Sequence, residues 1–170
     1  MKRFIITLLV SLAGISMAAQ ITPEVTLHLQ PMFGLYPQAG SSFTVDVTAG
    51  AKFNENVLGC GLGYGSAWFS SGDVKSSVIP VYIYYRGYLA LKEPSPFSLY
   101  CVLKHGWIVY SDYPTTAGTV YDRVEAYSAI QPGVSYAIGH GLSLYAGPDL
   151  AFEYYKHLRL GVSLGVTMAM

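Results

Sequence analysis

The sequence predicts an all-β fold in which eight antiparallel strands close into an up-and-down barrel, and three observations support this. Hydrophobic residues make up 52% of the chain and charged residues only 12%, against roughly 25% charged in average soluble domains. After residue 20, apolar and polar residues alternate in short segments, separated by breaks rich in Gly, Pro, Ser and Asp. No apolar run there is long enough to cross a membrane as a helix. The hydrophobicity is therefore spread over strands, and closing them into a barrel removes exposed sheet edges.

The first 19 residues have the pattern of a secretory signal peptide. Lys2 and Arg3 precede an apolar stretch, Phe4 to Gly14, that is too short to span a membrane. Small residues then offer a cleavage site near residue 19. We therefore expect residues 1–19 to be removed and residues 20–170 to form a single barrel domain. The alternative is an N-terminal anchor helix.

Eight segments alternate with a period of two residues. They cover 21–35, 42–53, 57–69, 77–90, 97–110, 124–138, 142–154 and 158–170. In the first two strands, "EVTLHLQ" (24–30) and "FTVDVTAGAKF" (43–53), apolar residues occupy odd positions and mostly polar or small residues occupy even positions. The third strand, "VLGCGLGYG" (57–65), alternates larger side chains with glycine, and the fourth, "IPVYIYYRGYL" (79–89), alternates aliphatic residues with tyrosines and Arg86.

The last four strands follow the same rule with one irregularity. In the fifth, Val102 and Ile108 fall on the polar face, whereas His105 falls on the apolar face. The sixth carries Glu125 on its polar face. The seventh, "LSLYAGPDLAFEY" (142–154), and the eighth, "LRLGVSLGVTMAM" (158–170), place apolar side chains at even positions. The eighth strand is the most regular, since all its odd positions after Arg159 are small or polar.

Nine charged residues share the polar faces of these strands, and no strand charge falls on an apolar face. They are Glu24, Asp46, Lys52, Arg86, Lys104, Glu125, Asp149, Glu153 and Arg159. A soluble surface is typically about 25–35% charged, whereas these faces carry mostly Gly, Ser, Thr, Ala and Tyr. The polar faces therefore suit a barrel interior in which the charges pair with one another, and the apolar faces suit lipid.

An eight-stranded barrel has an interior just wide enough for side chains to fill it. We therefore expect a transmembrane barrel with a polar, plugged lumen and no open channel. Connections agree with this class, because most odd-numbered breaks are longer than the even-numbered ones, as external loops are longer than periplasmic turns. The longest break, 111–123, is the best candidate for contact with an external partner, while the break at 155–157 is short and departs from the rule.

These features resemble the small eight-stranded outer-membrane β-barrels of Gram-negative bacteria, the broad family of outer-membrane β-barrel domains akin to OmpA and OmpX. The resemblance covers residues 20–170. It is most specific in the last strand, where Ser163, Gly165, Met168 and Met170 occupy the positions of the family's assembly signal. Met170 stands where that signal usually ends in Phe. The segment "IPVYIYYRGYL" is also similar to a strand common in the family.

The resemblance implies a monomer in the outer membrane, surrounded by lipid, whose last strand is recognised by the outer-membrane assembly machinery. Its role would be structural or would depend on contacts of the external loops. Two alternatives remain open: a lipid-modifying enzyme of the deacylase or acyltransferase kind, and a secreted, lipocalin-like soluble barrel that binds a ligand.

Little in the sequence points to chemistry. Cys60 and Cys101 lie two strands apart, about 10 Å, which is too far for a disulfide, so we expect free thiols. The cysteines and histidines lack the spacing of a zinc site, and the zero formal net charge gives no sign of nucleic-acid binding. We therefore expect no metal, no cofactor and no catalytic residue.

Histidines and serines do occur close together, but their spacing matches no hydrolase motif. His140 lies three residues before Ser143 and is expected to be a turn residue, whereas His157 and Ser163 would lie far apart. His105 beside Trp107 is expected at the edge of the apolar band. Glu153 and Arg159 flank the predicted turn at 155–157 symmetrically, so we expect them to be directly opposed and to form an ion pair in the lumen.

Overall fold

The chain forms a closed barrel in which each strand pairs antiparallel with the next and β8 pairs with β1. The computed structural model describes residues 21–35, 40–69, 75–90, 95–114, 120–153 and 157–170. The strands are β1 (Ile21–Gly34), β2 (Ser41–Phe53), β3 (Asn56–Trp68), β4 (Lys75–Ala90), β5 (Phe97–Pro114), β6 (Val120–Gly139), β7 (Leu142–Glu153) and β8 (His157–Ala169). The predicted signal peptide, residues 1–19, lies outside the described residues.

Two tight turns, at 54–55 and 140–141, lie at the end of the barrel where β1 begins and β8 ends, here called the terminal end. Asn54, His140 and Gly141 have positive φ angles of 52°, 53° and 77°. Two-residue hairpins need such angles to match the twist of their strands. His140 is thus a turn residue, as expected. Among the described residues, no helix is long and apolar enough to cross a membrane.

The β5–β6 hairpin is longer than predicted, and the expectation of a long loop at 111–123 is wrong. Both strands continue past the predicted boundaries at 110 and 124, so only 115–119 connect them. The pairing resumes at Tyr113 and Tyr121 after a register shift. The shift contains Asp112, whose φ is 62°, and the Ser76 hydroxyl donates a hydrogen bond of 2.9 Å to its carbonyl oxygen. The alternation of apolar residues breaks at this bulge, which explains why the sequence pattern did not predict the extension.

The expected contrast in connection length holds only in part. The turns at 54–55 and 140–141 are short, but the third connection at the terminal end, 91–96, is as long as 35–40 and 69–74 at the opposite end. The short connection between β7 and β8 is 154–156, which lies outside the described residues.

The side chains are distributed inside out relative to a soluble barrel. Large apolar residues are exposed on the outer face of every strand, for example Leu62 at 57% and Ile83 at 62%, while polar residues of the opposite parity are buried. The irregularities predicted for β5 are confirmed, because Val102 and Ile108 are buried in the lumen and His105 points outward. Exposed aromatic side chains lie near both ends of the outer face, as in the aromatic girdles of membrane barrels. They include Phe33, Phe43, Tyr64, Trp68, Trp107 and Phe152 towards one end, and Tyr85, Phe97 and Tyr136 towards the other.

Candidate functional site

The structure brings the predicted luminal charges together inside the barrel. Eight of them are at most 3% exposed: Glu24, Asp46, Arg86, Lys104, Glu125, Asp149, Glu153 and Arg159. Lys52 is only half-buried and lies at the terminal mouth, with its Nζ 5.3 Å from the centre of the Tyr88 ring. Seven of the eight buried charges are arranged along the lumen in three groups, which we name the terminal, central and distal clusters. The eighth, Glu125, is paired with Arg123.

The terminal cluster consists of Glu24, Thr26, His28, Arg86, Tyr88 and Tyr145. Arg86 forms an ion pair with Glu24 across the lumen, from β4 to β1. Its guanidinium also donates hydrogen bonds to the hydroxyls of Tyr88 at 3.1 Å and Tyr145 at 3.3 Å. The Tyr145 hydroxyl lies 2.8 Å from His28 Nε2, which links β7 to β1. One arginine therefore ties together strands that are not neighbours in the sheet.

The central cluster consists of Asp46, Tyr82, Lys104, Gln131 and Asp149. The Tyr82 hydroxyl donates to Asp46 Oδ2 at 2.8 Å, and Lys104 Nζ lies 3.9 Å from the same oxygen. The ammonium also lies 4.6 Å from the centre of the Tyr82 ring, which places a cation over an aromatic face. Gln131 donates from its side-chain amide to Asp149. Both carboxylates thus have a hydrogen-bond donor inside the lumen.

The distal cluster consists of Ser42, Tyr110, Glu153 and Arg159. Glu153 Oε2 accepts from the Tyr110 hydroxyl at 2.6 Å and lies 3.3 Å from Arg159 Nη2. Arg159 donates from the same nitrogen to Tyr110 at 2.9 Å and from Nη1 to Ser42 at 2.9 Å. Tyr110 therefore accepts from the cation and donates to the anion.

Glu153 and Arg159 form the predicted ion pair. The prediction that they are directly opposite each other in the β7–β8 hairpin is wrong. Glu153 is paired with His157, and Arg159 is paired with Ala151. The hairpin is centred one residue earlier than the symmetry of the sequence suggested, so the two side chains meet diagonally across the ladder. Long side chains can bridge diagonal neighbours on one face of a sheet.

Above the distal cluster, aromatic rings cover the lumen at the end opposite the termini. The ring of Phe69 packs edge-on against Tyr110 and Tyr113 at centroid distances of 6.1 Å and 4.8 Å. Arg123, which lies on β6 rather than in a loop, forms an ion pair with Glu125 and places its guanidinium 4.5 Å from the Tyr113 ring centre. Sequence reasoning missed this group because the extension of β5 and β6 was not predicted.

Glycines on β3 leave the space that the luminal tyrosines fill. A Cβ atom on Gly61 would lie 2.5 Å from the Tyr82 ring, and one on Gly59 would lie 2.7 Å from the Tyr84 ring. At the terminal mouth, a polar vestibule of about 240 Å³ remains, lined by Glu24, Lys52, Tyr88 and several hydroxyl side chains. Near the distal cluster, a cavity of only about 20 Å³ remains between the luminal side chains, beside Gln30, Thr44 and Glu153. That space is about the size of a single water molecule.

The structure also places the remaining sequence candidates. Cys60 and Cys101 are free cysteines, as expected. His28, buried in the lumen, lies 3.4 Å from Ser163 Oγ through Nδ1. Outside the lumen, His105 Nδ1 lies 2.9 Å from Ser128 Oγ, a contact that the sequence pattern did not indicate. The described residues include no cluster of His, Cys, Asp or Glu suited to a metal ion.

The residues of the expected assembly signal are divided between the two faces of β8. Ser163 is buried in the lumen, and Gly165 leaves room for the Tyr145 ring, which would lie 2.5 Å from an added Cβ. Met168 and Met170 point outward and are 54% and 65% exposed. The Met170 amide donates to the Pro23 carbonyl at 2.9 Å, so the last residue takes part in closing the barrel.

The functional residues that sequence reasoning missed are mainly uncharged. Tyr82, Tyr110, Tyr145, Gln131 and His28 connect the luminal charges. The signal available in the sequence was the presence of large hydrogen-bonding side chains on the same luminal faces of the strands as the charges.

No protein-family model matches the sequence, and no curated protein matches it. Solved structures do match its fold. Neisserial surface protein A is similar over 89% of this chain and 98% of its own, with a TM-score of 0.66 and 14% identity. The N-terminal β-barrel domain of Pseudomonas aeruginosa OprF covers 89% of this chain and 100% of its own, with a TM-score of 0.58 and 12% identity.

A third similar structure is the Yersinia pestis outer membrane protein Ail in a phospholipid bilayer nanodisc. It covers 89% of this chain and 100% of its own, with a TM-score of 0.52 and 10% identity. All three are small β-barrel proteins, and at these identities the likeness concerns the fold. The chain has the fold of the small eight-stranded outer-membrane β-barrels.

Proposed function

We propose that the protein is an integral outer-membrane β-barrel with a plugged lumen, whose role at the cell envelope is structural or depends on contacts of its connecting segments. The observation that carries the proposal is the inside-out distribution of side chains. Exposed apolar residues surround the barrel, while eight charged side chains are buried within it. Soluble proteins rarely expose contiguous apolar patches larger than a few hundred Å². A lipocalin-like soluble barrel requires the opposite arrangement.

The location can be tested by fractionating cells that express the full chain. We expect the protein in the detergent-resistant outer-membrane fraction, with an N-terminus near residue 20 after removal of residues 1–19. The mass of the purified protein would report that cleavage. Recovery in the soluble periplasmic or secreted fraction would contradict the membrane assignment.

The plugged lumen is supported by the density of contacts between the two ends. The terminal, central and distal clusters place ion pairs and tyrosine rings in succession along the lumen. Phe69, Tyr110 and Tyr113 pack over the end opposite the termini. In planar bilayers we expect no stable conductance steps, with a wide porin in the same bilayer as the positive control. A reproducible single-channel conductance would contradict this part of the proposal.

We propose no enzymatic role. The His28 and Ser163 side chains are 1% and 0% exposed inside the lumen, where no lipid ester can approach them. On the outer face His105 contacts Ser128, but the adjacent residues of the sheet are apolar and supply no acidic side chain to orient the histidine as a base. Mass spectra of lipid A from cells with and without the protein provide the test, and we expect them to be identical. A change in acyl composition would favour the lipid-modifying alternative.

Partners would then contact the two ends and the outer face. We propose that lipid covers the apolar face of a monomer and that the assembly machinery recognises β8. An external partner would meet the β5–β6 hairpin, whose paired ends extend beyond the β7–β8 hairpin. No nucleic acid or cofactor is part of the proposal.

A further inference from the structure

A polar pair lies on the apolar outer face of the barrel, between β5 and β6. His105 and Ser128 are directly paired in the sheet, with 2.9 Å between His105 Nδ1 and Ser128 Oγ. The next residues across the sheet are Ile83 on β4 and Phe152 on β7, which are 62% and 41% exposed. A plugged lumen does not account for this pair, because neither side chain faces the lumen.

We propose that His105 and Ser128 bind the acyl ester carbonyl of a lipid in the outer leaflet of the membrane. The inference rests on the proposed function, because it requires the barrel to be embedded in lipid with its terminal end towards the periplasm.

The depth of the pair in the membrane supports this ligand. Trp107 lies two residues further along β5 on the same face as His105. Phe152, which is paired with Ser128, is the second-last residue of β7 and so lies close to the end of the barrel opposite the termini. With a rise of about 3.3 Å per residue and a strand tilt of about 40°, Trp107 lies about 5 Å further along the barrel axis than His105, towards the end opposite the termini. Tryptophan rings lie at the headgroup level, and the interfacial layer is about 5–7 Å thick. His105 therefore lies near its inner boundary, where ester carbonyls are found.

The hydrogen-bonding capacity of the pair matches a carbonyl oxygen. A neutral imidazole carries one N–H and a serine carries one O–H, so together they have two donor protons. The contact between Nδ1 and Oγ uses one of them. In the proposed arrangement the Ser128 hydroxyl donates to Nδ1, so the imidazole proton lies on Nε2 and Nε2–H is the donor that remains free. An ester carbonyl can only accept a hydrogen bond, and an unpaired donor in hydrocarbon is costly.

The surrounding surface leaves room for such a ligand. On β6, Ala126 and Ser128 are small side chains of outward parity. Trp107 and His105 stand beside them on β5, and Phe152 stands on β7. The glycerol end of a lipid would thus fit over Ala126 and Ser128, beside the rings of Trp107 and Phe152. Its acyl chain would run from the polar pair past Ile130 towards the centre of the membrane.

Solid-state NMR of the full barrel in bilayers can test the contact. The protein would carry ¹⁵N-labelled histidine, and the bilayer would contain a phospholipid labelled with ¹³C at its ester carbonyl. A hydrogen bond from Nε2 brings the carbonyl carbon within about 4 Å of that nitrogen. We expect the Nε2 signal of His105 to lose intensity through dipolar coupling to the lipid carbonyl. The His105→Phe variant, which removes this signal, identifies it among the four histidines.

Two matched controls are available. An ether-linked lipid labelled at the corresponding carbon, which lacks the acceptor, should leave the signal unchanged, as should the ester lipid labelled at its terminal methyl group. The Ser128→Ala variant should weaken the coupling, because Ser128 no longer holds Nδ1 as the acceptor and Nε2 as the donor.

The outcomes separate this inference from the proposed function. If the barrel folds in vesicles but the His105 signal is equally attenuated by ester and ether lipids or by neither, the ester-binding inference is overturned and the membrane barrel stands. Coupling of His105 to a second, ¹³C-labelled copy of the chain instead of lipid would also overturn it. A chain that does not enter vesicles at all would overturn both.

Discussion

At the residue scale, the buried charges of this barrel depend on neutral neighbours as much as on each other. Tyr110 accepts a hydrogen bond from Arg159 and donates one to Glu153. Removing an ion from water costs several kcal/mol, and pairing offsets this only when further hydrogen bonds satisfy both partners. The loss of one partner therefore leaves the other uncompensated.

We predict that Glu153→Ala and Arg159→Ala each destabilise the barrel by about 3–5 kcal/mol, whereas the double variant loses clearly less than the sum. The reason is that the second substitution removes a charge that the first has already left unpaired. Urea unfolding in lipid vesicles would measure the three free energies. The exposed Asp122→Ala variant is the control, with an expected change within about 0.5 kcal/mol. Full additivity would exclude coupling between the two residues.

Glycines of β3 that face the lumen leave the space in which the luminal tyrosine rings pack. We predict that Gly61→Ala destabilises by about 1–3 kcal/mol through overpacking, because the added Cβ would lie 2.5 Å from the Tyr82 ring. Gly87→Ala is the matched control, since the nearest atom to its added Cβ is an ordinary contact at 3.6 Å. The same vesicle unfolding assay applies, and an equal effect of both substitutions would show that the tyrosine ring is not the cause.

At the element scale, the bulge in β5 separates the part of the hairpin inside the barrel wall from its extension. Ladder pairs run regularly up to Tyr110 and Arg123 and resume at Tyr113 and Tyr121. Asp112 absorbs the extra length with its positive φ of 62°. Asp and Asn tolerate this conformation better than other residues with a side chain, whereas β-branched residues do not.

We therefore predict that Asp112→Gly is neutral or stabilising, while Asp112→Val loses about 1–2 kcal/mol. Ser111→Val, at the neighbouring residue without a positive φ, should have a smaller effect than Asp112→Val. The midpoint of urea unfolding would measure each variant. If Asp112→Val were as stable as Asp112→Gly, the left-handed backbone would not be required in the folded hairpin.

At the scale of the whole molecule, the barrel is held by closure between β1 and β8 and by contacts across the lumen. The ladder between β1 and β8 runs from Glu24 and Ala169 to Gly34 and Arg159. Met170 extends it by one hydrogen bond to Pro23, while its side chain points to the outside. The last residue can therefore change without altering the packing of the lumen.

We predict that Met170→Phe speeds folding by the assembly machinery and leaves the unfolding free energy nearly unchanged. The family signal that β8 resembles usually ends in Phe, and the side chain at 170 is 65% exposed. The rate at which the heat-modifiable, folded form appears in proteoliposomes that carry the machinery would measure this. Met168→Phe, at another outward position, is the control, and an equal acceleration by both would argue for general hydrophobicity instead of a terminal signal.

The sequence alone determined which face of the sheet each side chain joins. Alternation in a strand is a local property with a period of two, so placing Leu164 and Ser163 on opposite faces needed no knowledge of other strands. The choice of which face points outward came from the low charge content of the polar faces of all the strands together. The same reading placed Arg86 and Lys104 in the lumen and His105 on the outer face, against the general trend of its strand. Strand number and closure followed from the count of alternating segments and the need to remove edges.

Only the tertiary structure decided which luminal side chains meet. Arg86 on β4 pairs with Glu24 on β1, and Lys104 on β5 lies beside Asp46 on β2. Such contacts depend on the relative shift of all the strands around the barrel, which no single segment encodes. The register of one hairpin already escaped prediction, since Glu153 is opposite His157 instead of Arg159. The face of a residue is set by its own strand, whereas its partner across the lumen is set by the geometry of the closed barrel.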